Sequence, residues 1–288
     1  MRRIAVIADI HGNLPALEAV LDDISRAKIE EILVAGDLVG RGPEGSAVVA
    51  RIRSLGLPTI GGNHEDYVLA ARHGELPSAW HDTDVWDAAR FMASELEAEH
   101  ADYLAALPFS LAREGFLLVH GTPASNRDGI GPWTEDTEIR HHLQAVAEPM
   151  LVCAHTHRPL IRRFGPRCVV NVGSVGLPFN RDHRAQYGVL EQDVKGWKPQ
   201  LRQVPYDIER ILEIYQTSGF LEQGGVTAKL LRLEIQHAAP VLVPFLTWAE
   251  ATGTPPDSSR LGAFFDIYTP GAPLRLFFQY LQALGPSS

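Results

Sequence analysis

The fold is decided by the stretch Ile4-Ala5-Val6-Ile7-Ala8-Asp9-Ile10-His11-Gly12-Asn13, in which an apolar run turns abruptly polar. A continuous apolar run of this length is typical of a strand buried on both faces. Residues i and i+2 of an extended segment point to the same side, so we expect Asp9 and His11 to face one site. Asn13 can then cap a helix whose first turn contains Pro15. The stretch therefore predicts a buried strand that ends in two side chains of the metal-ligand type.

Four further motifs follow the same rule, each lying after an apolar run that is typical of a strand. They are Gly36-Asp37, Gly62-Asn63-His64-Glu65, His120-Gly121 and His155-Thr156-His157. Together with the first motif they offer two Asp, Asn63 and five His, and no thiolate. Such oxygen and nitrogen ligands suit Mn, Fe, Zn or Co better than Ca. One such histidine alone would be read as a polar loop side chain, but the five motifs in order predict a two-metal phosphoesterase site.

The composition excludes several classes of protein. The 288 residues allow one large domain or two small ones. A formal net charge of -9 argues against a protein that coats nucleic acid or an anionic membrane. A small phosphorylated substrate stays compatible with this charge, because bound cations reverse the local field. No stretch approaches the roughly 20 apolar residues of a membrane span, and the apolar run of residues 4–8 is too short for a signal peptide.

The two cysteines, Cys153 and Cys168, indicate the compartment. Neither has a CxxC partner, and a secreted disulfide scaffold would contain more cysteines. We therefore expect both to be buried apolar side chains of strands in a cytoplasmic protein.

Strand and helix patterns alternate along the first half of the chain. After the first strand and its helix, strands are expected over residues 31–35, 58–60, 116–119 and 150–154, and helices over residues 47–55, 80–107 and 134–146. This alternation predicts an α/β protein with parallel strand pairs. Four strands with short turns follow, over residues 160–164, 168–172, 186–191 and 200–204, which predicts an antiparallel stretch and so a mixed sheet system. Helices are expected over residues 207–218 and 227–237.

The pattern is lost near residue 238, and this sets the expected domain division. Residues 1–237 are predicted to form the phosphoesterase domain, and residues 238–288 a C-terminal extension rich in Pro, Gly and aromatic residues. The extension is too apolar for a disordered tail. Its role stays open between a cap over the site, a surface for homo-oligomerisation and additional core.

The motifs resemble those of the calcineurin-like metallophosphoesterases, and in particular the small bacterial and archaeal phosphodiesterase branch. The resemblance covers about residues 3–237 and is carried by Asp9-Ile10-His11-Gly12-Asn13-Leu14, Gly36-Asp37-Leu38-Val39-Gly40 and Asn171-Val172-Gly173-Ser174-Val175-Gly176. It implies an α/β fold in which a β-sandwich of two mixed sheets is flanked by helices, in four α/β/β/α layers. It also implies two divalent metal ions, with Mn favoured and Fe, Zn, Co or Ni as alternatives.

The same resemblance assigns the metal ligands. The first ion would be bound by Asp9, His11, Asp37 and His157, and the second by Asp37, Asn63, His120 and His155, so that Asp37 bridges. Two such ions can clamp the oxygens of a phosphoryl transfer and lower the pKa of a shared water, whose hydroxide would be the nucleophile. His64 would not be a ligand but would stabilise the phosphoryl oxygens or protonate the leaving alkoxide.

Arg41 departs from the phosphodiesterase branch. The segment from Gly36 to Gly42 resembles the "GDxVDRG" run of the Ser/Thr protein phosphatases, in which the Arg binds phosphate oxygens with its fork-shaped side chain. Those phosphatases have an Asp before the Arg that orients the catalytic His, and here Gly40 stands in its place. Arg41 therefore stays open between a catalytic phosphate clamp and a surface loop arginine.

The expected function is that of a metal-dependent phosphodiesterase acting on small nucleotide-like esters. The alternative is a phosphomonoesterase or protein Ser/Thr phosphatase that uses Arg41 as a clamp, and a non-catalytic scaffold is disfavoured because every ligand type is present.

Three other polar residues are read as structural: Asn13 as a helix cap, Asp66 as a first-turn charge rather than a partner of His64, and His183 as part of a solvated turn.

Overall fold

The computed structural model describes residues 2–194 and 196–284 of the chain. Its strands are β1 (Arg3–Ile7), β2 (Glu31–Val34), β3 (Ser110–Arg113), β4 (Phe116–Val119), β5 (Met150–Cys153), β6 (Leu160–Phe164), β7 (Arg167–Asn171), β8 (Ala185–Asp193) and β9 (Gly196–Val204). Its α-helices are α1 (Leu14–Arg26), α2 (Gly45–Ser54), α3 (Asn63–His73), α4 (Asp87–Glu95), α5 (Ala98–Ala105), α6 (Asp136–Gln144), α7 (Ile208–Thr217), α8 (Phe220–Gln223), α9 (Gly225–His237), α10 (Leu242–Thr252), α11 (Leu261–Phe265) and α12 (Leu274–Leu284).

The strands form two mixed sheets that pack face to face. One sheet has the order β2-β1-β8-β9, with β1 parallel to β2 and antiparallel to β8. The other has the order β3-β4-β5-β7-β6, in which β4, β5 and β7 are parallel and the two edge strands antiparallel. The expected α/β sandwich of two mixed sheets is therefore confirmed.

The burial of β1 explains why its sequence is apolar throughout. Ile4 and Val6 lie between the two sheets, whereas Ala5 and Ile7 lie in the core under the helices that cover the outer face. The second sheet shows the same division, because Val152 faces the sandwich and Leu151 faces the core under α6. Alternate residues of each central strand thus enter different cores, which gives the four layers.

Some expected elements differ from the observed ones. Residues 58–60 form a single bridge, between Thr59 and Val34, rather than a strand. The helix expected over residues 80–107 is divided into α4 and α5, because the backbone is extended at Leu96, where Arg72 donates to the carbonyls of Ala93 and Leu96. Helix α3 and strand β3 were not expected. The two-residue turn between β3 and β4 contains Gly115 at φ +88°, a conformation that glycine adopts without strain.

The C-terminal extension packs against the helical layer, and its core residues extend to Leu281. Phe245, Trp248, Phe264 and Phe277 belong to the same apolar core as residues of α1 and α9. The domain boundary at residue 237 and homo-oligomerisation through the extension stay predictions. Both cysteines are buried, as expected. Among the residues described, none of the helices has both the length and the apolar character needed to cross a membrane, and the cytoplasmic location stays a prediction.

Candidate metal centre

The five motifs come together at one edge of the sandwich. Asp9 and His11 follow β1, Asp37 follows β2, and His120 follows β4. His155 and His157 follow β5, while Asn63 begins α3. Because β1 is parallel to β2 in one sheet and β4 is parallel to β5 in the other, each pair of strands has its carboxyl ends at one edge of its sheet. Strand pairing and the packing of the two sheets together explain how residues far apart in the chain meet.

The side chains form two groups that share Asp37. In the first group, made of Asp9, His11, Asp37 and His157, one ligand atom of each residue lies within 4.8 Å of the others. The second group is made of Asp37, His120 and His155. The Asn63 amide oxygen joins it, at 3.1 Å from His120 Nε2 and 2.9 Å from His155 Nδ1. The structure thus brings together all seven residues that the sequence indicated as ligands.

Two carboxylate oxygens of this cluster are buried without a hydrogen-bond partner, Asp9 Oδ1 and Asp37 Oδ2. His157 Nε2 lies 3.4 Å from Asp9 Oδ1, and His120 Nε2 lies 3.3 Å from Asp37 Oδ2. A buried acceptor without a donor is costly in a folded protein. Oxygen and nitrogen lone pairs that converge in this way fit divalent cations.

Backbone carbonyls fix the orientation of three histidines. Nδ1 of His120 lies 2.7 Å from the Ala35 carbonyl oxygen, and Nδ1 of His157 lies 2.6 Å from that of Leu177. Nδ1 of His11 lies 3.3 Å from a third carbonyl. A carbonyl can only accept, so Nδ1 carries the proton and Nε2 of each ring faces the cluster, as is usual for histidine ligands of metals.

Charge in the cluster favours a cation. Burial alone would lower the pKa of His120, but Asp37 and Asp9 outweigh it and raise that pKa to about 10. Burial raises the pKa of Asp9 to about 7. Burial also acts to raise the pKa of Asp37, but His120 and His64 outweigh it and hold that pKa well below its usual range. The carboxylates of Asp37 and Asp9 therefore stabilise positive charge at this position, which a cation site requires.

The loops that carry the cluster are strained. Asp9, His11, Asp37, His155 and His157 all have a positive φ, between 51° and 66°. Side chains other than glycine rarely adopt this left-handed region, and such strain persists where the surrounding structure enforces it. The run Asn171 to Gly176 helps to enforce it, because Ser174 Oγ donates to the Asp9 carbonyl oxygen at 2.8 Å. Asn171 Nδ2 donates to the Ala154 carbonyl oxygen at 2.6 Å.

Glu65 is a buried positioning residue to which the sequence analysis assigned no role. Its carboxylate accepts hydrogen bonds from the backbone N–H groups of Asp37 and Gly62, at 2.9 and 2.6 Å, and from two residues that follow Asp37. The bond to Gly62 is one half of a capping box at the start of α3, with Glu65 at the third helical position and no N-cap side chain to complete it. That spacing is the signal that could have indicated both α3 and the role of Glu65.

His64 lies beside the cluster and contacts Arg41. Arg41 Nε donates to His64 Nε2 at 3.1 Å, and Arg41 Nη1 donates to Glu234 Oε2 at 2.9 Å. The Arg41 side chain is 12% exposed and that of Glu234 is fully buried. Arg41 is thus not a surface arginine, and its role as a phosphate clamp stays a prediction. Burial lowers the pKa of His64 well below its usual range, and Arg41 lowers it further against the effect of Asp37.

The three residues that were read as structural have structural contacts. Asn13 caps α1, since its Oδ1 accepts from the Ala16 N–H at 3.1 Å. Asp66 pairs with Arg127 at 3.3 Å rather than with His64. His183 Nε2 lies 3.0 Å from the Gln236 carbonyl oxygen, which connects its loop to α9.

Two cavities meet at the cluster and share Arg41, Arg127, His155 and Val243 as lining residues. The smaller, which we call the apolar pocket, has a volume of about 310 Å³ and lies between α3, α4, α9 and α10. The larger, which we call the main cleft, has a volume of about 930 Å³. Its lining includes His157, Arg158, Trp133 and Phe278.

Comparisons with known proteins agree with this geometry. Residues 1–195 match the sequence profile of the calcineurin-like phosphoesterase superfamily domain. A metallophosphoesterase structure from Sphaerobacter thermophilus has a TM-score of 0.68 and 27% identity, covering 83% of this chain and 99% of that one. Phosphodiesterase YfcE of Escherichia coli K12 is 25% identical, over 67% of this chain and 90% of YfcE. A symmetrical bis(5'-nucleosyl)-tetraphosphatase from Paracidovorax citrulli is 31% identical, but over 49% of each chain.

Proposed function

Because the chain belongs to the calcineurin-like phosphoesterase superfamily, we propose that it is a dinuclear-metal-dependent phosphodiesterase acting on small nucleotide-type phosphodiesters. Membership establishes a metal-dependent phosphoric ester hydrolase. The proposal adds that two metal ions are bound, that the substrate is a phosphodiester, and which residues bind the metals and act on the ester. One relative is named a phosphodiesterase and another a bis(5'-nucleosyl)-tetraphosphatase, and both names support a nucleotide-like phosphoester substrate.

Two metal ions are proposed, each with four ligands. Asp9, His11, Asp37 and His157 would hold the first, and Asp37, Asn63, His120 and His155 the second, with Mn favoured over Fe, Zn, Co or Ni. The two groups of converging ligand atoms and the buried oxygens without donors support this assignment. Two divalent ions bound there would activate water as the nucleophile and neutralise the phosphate oxygens. Asp37→Asn should lower the Mn content of the purified protein, and two tightly bound ions in that variant would overturn the bridging role.

His64 is assigned to the phosphoryl oxygens or the leaving oxygen. Its ring centroid lies 4.9 Å from that of His11, so it is adjacent to the cluster without belonging to either ligand group. While Arg41 donates to Nε2, that nitrogen cannot itself donate a proton. A bound phosphate would attract Arg41 by charge-assisted hydrogen bonds and free His64 Nε2, which can then take up a proton from solvent and donate it to the ester.

The observation that carries the diester assignment is the pair of cavities at the cluster. A phosphodiester has two organic groups and a monoester has one. The apolar pocket and the main cleft both reach His155 and Arg41. An ester phosphate at the cluster therefore has space for a group on each side.

Monoester hydrolysis is the second candidate, and Arg41 is the residue that favours it. Arg41 lines both cavities, where a guanidinium can bind two of the three non-bridging oxygens of a terminal phosphate. A non-catalytic scaffold is disfavoured, because the cluster retains every ligand type.

Hydrolysis of two chromogenic esters separates the candidates. The protein is stripped with a chelator and reloaded with Mn, and kcat/KM is measured for bis-p-nitrophenyl phosphate and for p-nitrophenyl phosphate. We expect the higher value for the diester. A strong preference for the monoester would favour the second candidate, and the absence of both tight metal and Mn-dependent activity would favour the scaffold.

A further inference from the structure

We propose that the apolar pocket binds the organic group of the leaving alcohol, and that this group is a compact aromatic one. The inference rests on the proposed phosphodiesterase function and adds the chemistry of one of the two ester groups. The preferred substrate is then an unsymmetrical phosphodiester, with an aromatic group on one side and a nucleotide-like group on the other.

The position of the apolar pocket identifies the group that leaves. Its wall includes His64, together with Asn63 and His155 of the second ligand group. The main cleft is lined by His155 and His157 and lacks His64 among its lining residues. A proton donor must lie within hydrogen-bond reach of the leaving oxygen. The ester group on the side of His64 is therefore the one released, and its substituent extends into the apolar pocket.

The walls of the pocket select against a sugar. Most of the lining is apolar, including Val85, Ala89, Met92 and Leu246. Three polar groups in the lining already have partners within the protein. Tyr67 Oη accepts from Arg127 at 2.9 Å, Thr227 Oγ1 donates to the Val85 carbonyl oxygen at 2.6 Å, and Trp86 Nε1 donates to the Ala79 carbonyl oxygen at 2.9 Å.

Since each of these groups already uses a hydrogen bond within the protein, a ribose placed against them would find few free partners for its hydroxyls. A buried hydroxyl without a hydrogen bond is disfavoured, whereas an apolar ring loses nothing there. Aromatic side chains of the wall also favour a ring. Tyr67 and Trp86 have ring centroids 6.1 Å apart, and Trp80 lines the same pocket. Aromatic pairs at such separations are favourable beyond the burial of area.

The size of the pocket limits the group to one or two rings. Its volume of about 310 Å³ is roughly twice that of the ~150 Å³ engineered cavity that holds benzene in another protein. The main cleft suits the other ester group, because Arg158 lines it but not the apolar pocket and adds positive charge to that of the shared Arg127. Trp133 is 56% exposed and the Arg158 guanidinium lies 5.0 Å from its ring centroid. An exposed ring and cations together suit a nucleotide.

Two phosphodiesters that share the nucleotide and differ in the other ester group test the assignment. The p-nitrophenyl and the 2,2,2-trifluoroethyl esters of thymidine 5'-monophosphate share the nucleotide and differ in the leaving alcohol. Both are assayed with the Mn-loaded wild type and with Ala89→Leu, which fills the pocket from α4. Ala98→Leu adds the same atoms on the exposed face of α5 and is the matched control. The comparison between variants cancels the intrinsic difference in leaving-group reactivity.

We expect Ala89→Leu to lower kcat/KM about tenfold or more for the aryl ester but little for the trifluoroethyl ester. A change in the shape of a binding pocket commonly alters specificity by about this factor. Ala98→Leu should change neither. If Ala89→Leu lowers the Tm, Leu246→Phe fills the pocket from α10 instead. Equal losses for both esters would overturn the proposal.

Binding of free p-nitrophenol, measured by calorimetry, separates this inference from the proposed function. We expect wild type and Ala98→Leu to bind p-nitrophenol and Ala89→Leu to bind it more weakly. Hydrolysis of neither ester by the Mn-loaded wild type, with this binding pattern intact, would overturn the phosphodiesterase function but not the aromatic preference of the pocket. Diester hydrolysis with binding unaffected by Ala89→Leu would overturn the pocket alone.

Discussion

Arg41 donates a hydrogen bond from Nε to Nε2 of His64 over 3.1 Å, at the side of the candidate metal cluster. The guanidinium is held in turn by Glu234 of α9, whose Oε1 also accepts from the backbone N–H groups of Val241 and Leu242 at 2.8 and 2.9 Å. Burial raises the pKa of Glu234, and Arg41 opposes this shift. Glu234 thus holds the Arg41 side chain against His64, whereas Gly40 supplies no carboxylate to that ring.

We predict that Glu234→Gln lowers kcat about 10- to 100-fold, the size of effect that misplacing a group near the reacting centre produces. Gln keeps an acceptor for the backbone N–H groups but removes the negative charge that holds Arg41. KM and Mn content should change little, because Glu234 contacts none of the proposed ligands. The matched control is Glu222→Gln, at an exposed position of α8. Unchanged kcat in Glu234→Gln, or an equal fall in the control, would show that the Glu234–Arg41 pair is only structural.

We predict that His64→Ala lowers kcat about 10²- to 10⁴-fold, the usual range for loss of an acid or base group. The variant should retain its Mn, because His64 lies outside both ligand groups. Mn content is measured by elemental analysis alongside kcat for bis-p-nitrophenyl phosphate. His73→Ala, on the exposed end of the same helix, is the control. Loss of Mn together with activity would make His64 a ligand and contradict its assignment.

The strand-end motifs could be predicted from the sequence, because each is a local pattern of an apolar run followed by polar residues. Parallel pairing brings Asp9 and Asp37 to one edge of the first sheet, and the packing of the second sheet against it brings His120 to the same place. The Arg41–Glu234 contact joins residues 193 apart in the chain and has no local signal. The apolar pocket likewise requires helices from distant segments, including α10 of the extension, so the sequence alone did not indicate it.

We predict that Glu65→Gln weakens Mn binding about 10- to 100-fold, as the loss of a partner behind the metal ligands commonly does. The Glu65 carboxylate accepts hydrogen bonds from the backbone N–H groups of Asp37, Leu38 and Gly62. In the Gln variant an NH₂ group, which is itself a donor, would face some of these N–H donors. The loop that carries Asp37 should therefore loosen. The Kd for Mn is measured by calorimetry, with Glu75→Gln in the exposed segment after α3 as the control. A wild-type Kd in Glu65→Gln would contradict the positioning role.

We predict that Gly40→Asp does not create the His–Asp pair of the protein phosphatases but destabilises the protein and lowers activity. Gly40 has φ +76°, and a Cβ built there would lie 2.4 Å from His64 Nδ1, closer than any ordinary contact. The left-handed backbone costs a residue other than glycine about 1–2 kcal/mol, and the clash adds about 1–3 kcal/mol by overpacking.

Gly74→Asp is the matched control, because Gly74 has φ +73° and open space around the same position. Chemical denaturation should show a larger loss in the free energy of unfolding for Gly40→Asp, and kcat should fall only in that variant because the displaced ring is that of His64. Equal losses of stability with full activity in both variants would mean that His64 accommodates the new side chain, and that the close approach of Gly40 does not position it.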